Sequence, residues 1–113
     1  MIFNTNSLKA NRELVGKSLL ALMDTIKFIK EQPDEAAAIA GKAFRLAPEE
    51  MKKQMAPLNY VVELKGASIN EYKASTRWIV GKGGVSIPDI DKFWSELVDA
   101  SPLKAVAPGQ TDL

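Results

Sequence analysis

Neither cysteine nor histidine occurs among the 113 residues. Without thiols there is no disulfide framework and no thiolate nucleophile. Without imidazole the commonest general base is missing, and zinc sites of the usual ligand types go with it. The lack of cysteine leaves the compartment open, because an exported protein without disulfides and a cytosolic protein look alike in this respect. An excess of either charge is also absent, since fifteen Lys and Arg against fourteen Asp and Glu leave a formal charge of +1. No strong field gathers phosphates or an anionic membrane, so nucleic acid is not an expected partner. The longest like-charge cluster, Lys52-Lys53, follows Glu49-Glu50, which on a helix makes a mixed solvated face. No apolar run approaches the ~18–20 residues that span a bilayer, so membrane insertion is not expected. The opening Met-Ile-Phe-Asn-Thr-Asn lacks the basic-then-apolar order of a secretory signal. With Met1 as the true start the product stays in the cytoplasm, and export requires a leader outside this sequence.

What is present is the composition of a globular protein, 46% apolar and 26% charged, in a length suited to one domain. Residues 2–5 form a short apolar-to-polar run read as a broken-off strand. From Asn11 to Gln32, the residues Leu14, Val15, Leu19, Leu22, Met23, Ile26 and Ile29 recur at steps of three and four, which predicts an amphipathic helix capped by Asn11. Gly16 inside it costs about 1 kcal/mol relative to Ala or marks a close helix contact. Pro33 ends that run and opens a second helix with Asp34 and Glu35 in its first turn. There small residues from Ala36 to Ala43 allow close packing, and Phe44 supplies one large anchor. Ala47-Pro48-Glu49-Glu50 repeats the start signal for a third helix running to Ala56.

Tyr60-Val61-Val62-Glu63-Leu64 is β-like, but its length equally suits an extended connection. Ser68 is the expected cap of a helix over residues 69–81 that buries Ile69, Tyr72, Trp78 and Ile79, and Gly81-Lys82-Gly83-Gly84 ends it. A last helix follows, capped by Asp89 or Asp91, with Ile90, Phe93, Trp94, Leu97 and Val98 on one stripe. From Ser101 onward the tail should fray or need an outside surface to dock on. The fold class expected is mostly α, about five helices with one or two short strands, in a single segment over residues 1–113.

Three constellations invite chemistry and fall short of it. The glycine-lysine run has a lysine before its final glycines and follows a helix, so it does not fit the order of a phosphate loop. The acid pairs Asp34 with Glu35, Glu49 with Glu50, and Asp89 with Asp91 all sit at helix starts, where the macrodipole favours carboxylates without catalysis. Of Tyr72, Trp78, Phe93, Trp94 and Tyr60, which could stack on a ligand, three fall on apolar stripes at helical spacing and belong more readily to a core than to a ligand. Tyr60, in the extended run, is the aromatic residue least tied to a core. No catalytic residue, metal ligand or cofactor is therefore expected, and the chain is not expected to be an enzyme.

The order of these parts resembles the solute-binding proteins of ABC importers for nitrate, sulfonates, taurine and thiamine precursors. The likeness covers most of the chain. It rests on Asn11-Arg12-Glu13-Leu14-Val15 opening a long helix, and on Phe28-Ile29-Lys30-Glu31-Gln32-Pro33-Asp34-Glu35-Ala36-Ala37, which is similar to that family's helix, turn and second helix. Tyr60 with its apolar run, Trp78-Ile79-Val80 before a glycine turn, and a closing helix followed by small residues complete it. The resemblance implies an incomplete C-terminal part of one lobe of an α/β protein whose two hinged lobes close over a solute. It also implies a periplasmic location, a small-molecule solute and the importer's membrane subunits as partners. On the same basis Ile2-Phe3-Asn4-Thr5 corresponds to a strand near the hinge, and Asn4, Thr5 and Asn6, with Tyr60, are the residues that would lie near a ligand. Helices parted from the rest of a lobe expose apolar faces, so a homodimer is a further expectation. The alternative to the binding-protein reading is a small helical interaction module that self-associates through such faces.

Overall fold

Prolines and glycines set the helix boundaries. A computed structural model of the protein describes residues 4–113. Among them are seven α-helices: α1 Thr5–Ala10, α2 Arg12–Glu31, α3 Pro33–Phe44, α4 Pro48–Met55, α5 Gly66–Gly81, α6 Ile90–Leu97 and α7 Ser101–Val106, followed by a 3-10 turn, Pro108–Gln110. Pro33, Pro48 and Pro102 stand in the first turns of α3, α4 and α7, where the missing amide would have had no partner and the fixed φ already suits the helix. The mostly helical class is therefore present. Of the expected strands, the described residues contain only an isolated parallel bridge between Leu64 and Thr111.

The chain divides into two compact units, Met1–Gly16 with Glu63–Leu113, and Lys17–Val62. In the second unit α3 packs on α4. α3 buries Ala36, Ala37 and Gly41, small residues that allow the close approach read from the sequence. The helix stops at Arg45, which is left-handed at φ 57°, and the Leu46 amide donates back to the Gly41 carbonyl at 2.9 Å. That closes the helix end as a glycine usually would. Lys52 on α4 pairs with Asp34 in the first turn of α3. This bond raises the ammonium's pKa, foremost through the Asp34 hydrogen bond.

In the first unit α5 packs on α6, joined by a turn in which Gly83 takes φ +77°. Its apolar core is small, with Val15, Ile69 and Leu103 at 4–8% exposure. Gly16 is buried, and a Cβ built on it would lie 3.1 Å from Val106 Cγ1 on α7. This is the close helix contact foreseen as one reading of that glycine.

Several expectations need correction. Asn4 and Thr5 are not strand; Asn4 caps α1, its side chain accepting from the amides of Asn6 and Ser7 at 2.9 and 3.5 Å. Ile2 and Phe3 lie outside the described residues. Ser68 is not the cap of α5, which begins at Gly66 with Lys65 in the cap position. Phe44, Trp78, Tyr72 and Ile79 are not buried, with exposures of 68%, 66%, 51% and 46%. The segment after Ser101 neither frays nor waits for an outside surface, since it winds into α7 and the 3-10 turn and docks on its own chain.

Candidate functional site

In the first unit, side chains of α5 and α6 are tied together by an ion-pair cluster. On α5, Lys73 and Arg77 are one helical turn apart and point the same way. Both meet Asp91 in the first turn of α6, at 2.9 Å from Lys73 and 3.2 Å from Arg77. The Lys73 hydrogen bond, then its charge, hold the Asp91 carboxyl below the usual carboxylate range, with Arg77 adding to the effect. Asp89 is the capping acid of α6, accepting from the Lys92 amide at 2.8 Å. The two acids offered as alternative caps thus divide the work, one closing the helix start and one tying α6 to α5.

Next to this tie lies an aromatic cluster. Tyr72 stacks on Trp94 with centroids 5.5 Å apart, and Phe93 meets Trp94 edge-on at 5.7 Å. Trp94 Nε1 donates to Thr76 Oγ1 at 3.0 Å, giving the indole the polar partner it needs when partly buried. Trp78 stands apart from the cluster, and Lys82 Nζ lies 5.5 Å from its ring centroid, a cation–π geometry.

Below the cluster Ile69, Lys73, Trp94, Ser95, Val98, Ala100 and Leu113 line an open, mainly apolar depression of about 380 Å³. Its one charged group, Lys73, is already engaged by Asp91, so the depression suits an apolar side chain better than an anion. Leu113, which lines it, belongs to a segment, residues 109–113, that docks on the start of α5. The Leu64 amide donates to the Gln110 carbonyl at 2.9 Å, Lys65 Nζ to the Gly109 carbonyl at 3.1 Å, and the Gly66 amide to Asp112 Oδ1 at 2.7 Å. Asp112 thereby serves one of the free amides at the start of α5. Lys104 Nζ donates to the Leu113 carbonyl at 2.8 Å, and Thr111 is buried at 9% exposure.

A second polar tie joins α2 to the start of α7. Arg12 reaches Asp99 at 3.3 Å and Ser101 Oγ at 3.0 Å. Asp99 accepts from the Ser101 hydroxyl and amide, which lower its carboxyl's pKa, and Arg12 adds to this.

The residues offered for ligand contact from the sequence are not gathered into one site within either unit. Asn4 is spent on its cap, and Thr5 and Asn6 are exposed in the first turn of α1. Tyr60 is half-buried in the extended segment of the other unit. The acid pairs likewise stand in first turns or caps, and among the described residues no three acidic side chains converge as metal ligands would. Among the described residues no helix is long and apolar enough to cross a membrane. The sequence reading missed the depression and the docking of residues 109–113. Asp112 lies 46 residues from the amide it serves and gave no local signal. No model of a protein family, no curated protein and no solved structure matches this chain.

Proposed function

We propose that the chain is a C-terminal helical part of the solute-binding component of an ABC importer for nitrate, sulfonates, taurine or a related small compound, and performs no bond chemistry itself. The observation that carries the reading is the balance of apolar surface. Among the described residues six apolar side chains are buried, while fourteen large ones, from Leu14 to Leu113, stand exposed. Such an excess marks faces that another surface covers. Helices that flank a sheet have this character, because their apolar sides are meant for strands supplied by the rest of a lobe. The succession of α2, the Gln32-Pro33 turn, α3 and Pro48-started α4 agrees with the resemblance. On this reading the partners are a solute and the importer's membrane subunits, and the location is periplasmic.

The test is reconstitution. The chain is co-expressed with a nitrate-, sulfonate- or taurine-binding protein from which the corresponding C-terminal part has been removed. A soluble one-to-one complex is expected, with a melting temperature that rises with one solute of that set; at a hundredfold excess over Kd, binding adds about 2.7 kcal/mol. Failure to associate with every such fragment would sink the proposal.

The same exposed side chains favour a second reading, a helical module that self-associates. Light scattering separates the two, since this module forms a dimer without any lobe fragment or solute.

A further inference from the structure

α5 begins without a cap of its own. Lys65, in the cap position, offers no side-chain oxygen, and the first turn holds no acidic residue. The sequence around Gly66 therefore leaves the first amides of the helix without a local acceptor. The acceptor comes from Asp112, whose carboxylate takes the Gly66 amide at 2.7 Å. The two residues before Gly66 are tied to the same stretch, the Leu64 amide donating to the Gln110 carbonyl at 2.9 Å and Lys65 Nζ to the Gly109 carbonyl at 3.1 Å. We infer that residues 108–113 are a strap that seats and releases as one piece. Seated, it forms the first turn of α5 and closes one side of the apolar depression.

The strap is held together by bonds of its own. The Thr111 amide donates to the Pro108 carbonyl at 3.4 Å and the Leu113 amide to Thr111 Oγ1 at 3.2 Å. A rotation about the N–Cα bond of Ala107 leaves both intact. Ala107 is the pivot because α7 ends before it and its backbone is non-helical at φ −152°, ψ 73°, as the proline after it favours. Of the strap's side chains Thr111 is buried at 9% exposure, whereas Leu113 keeps 40% of its surface exposed. The buried Thr111 makes the seated form the ground state, and the scarcity of buried apolar contact lets the strap open without the rest of the unit. Leu113 is where the strap meets the depression. It lines it beside Ile69 and Trp94, its Cδ2 lies 3.7 Å from the place a Cβ on Gly66 would take, and its carbonyl accepts from Lys104 Nζ on α7 at 2.8 Å. Release removes this wall and leaves the apolar lining on α5 and α6 open to solvent.

The experiment is amide hydrogen exchange, residue by residue, on the full chain and on Asp112→Ala and Asp112→Asn. In the unaltered chain the Leu64 and Gly66 amides should share one protection factor, at least tenfold below that of amides in the middle of α5. Asp112→Ala should lower both together, again at least tenfold, although the side chain it removes touches only Gly66. Asp112→Asn keeps an oxygen acceptor and should preserve most of the protection at both. A Leu64 amide that keeps its protection while Gly66 loses it would show independent bonds and overturn the strap. An equal fall at every amide of the unit would overturn it too, since Asp112 would then support the unit as a whole. Should Asp112→Ala fail to fold, the unaltered chain decides, and unequal protection at Leu64 and Gly66 rejects the inference. With Trp78→Phe as background, Trp94 is the sole indole, and Asp112→Ala should increase its quenching by acrylamide. Unchanged quenching alongside faster exchange would overturn the closing of the depression.

Discussion

Gly41 shows how one missing methyl fixes a turn. A Cβ at this position would stand 2.8 Å from the Leu46 carbonyl oxygen, a backbone atom held by the left-handed Arg45 turn. Alanine would gain about 1 kcal/mol of helix propensity, but forcing the turn outward costs about 1–3 kcal/mol. Gly41→Ala should therefore lower stability by about 1 kcal/mol, read as a lower urea midpoint; a higher midpoint would show that the turn yields freely. Asp91 sets a second expectation. Its folded pKa lies below the ordinary 3.8, so its contribution is complete above that value and is lost as the pH falls through the depressed one. The difference in melting temperature between the natural chain and Asp91→Asn should be present at neutral pH, close below pH 3.8 and shrink in ~1 M salt. A difference that ignores pH would assign the effect to packing. Neither the Gly41 contact nor the Asp91 pairing is visible in the sequence, because each depends on where a neighbouring element returns.

At the scale of elements, the contact of Gly16 with Val106 ties α2 to α7. At Gly16 an alanine's gain in propensity works against a 3.1 Å approach to a side-chain methyl, and the two nearly cancel. Gly16→Leu has no such room and should cost about 1–3 kcal/mol. Val106→Ala should recover part of that loss, as contacting residues in a double-mutant cycle do; strictly additive effects would argue against the contact. The helices themselves were largely legible. Pro33, Pro48 and the 3-4 spacing of Val15, Leu19, Met23 and Ile26 bounded and oriented them through purely local physics. Burial on α5 was not. At 3.6 residues per turn Trp78 lies about 180° around the helix from buried Ile69, so a stripe that included both could not face one neighbour. α6, only eight residues long, covers the Thr76 side through Trp94 and leaves Trp78 to solvent.

For the molecule as a whole, the balance of charge and the exposed apolar side chains act together. A formal charge of +1 and a pI near 7.9 leave little repulsion between copies at neutral pH. Solubility should pass through a minimum near pH 8 and rise toward pH 5, where carboxylates begin to protonate and net positive charge grows. Static light scattering across that range measures it, and a flat profile would mean that association is governed by specific contacts instead. The apolar stripes of the helices could be read from composition and pattern. The docking of residues 109–113 on α5 could not, because hydrogen bonds across 44–46 residues leave no periodicity behind.

The division into units has an optical consequence. Both tryptophans, Trp78 and Trp94, belong to the unit that contains Glu63–Leu113, and Lys17–Val62 has none. Indole emission therefore watches one unit, while far-ultraviolet circular dichroism watches the helices of both. Two melting curves from a single unlabelled sample then say whether the units lose their structure in one step or in two.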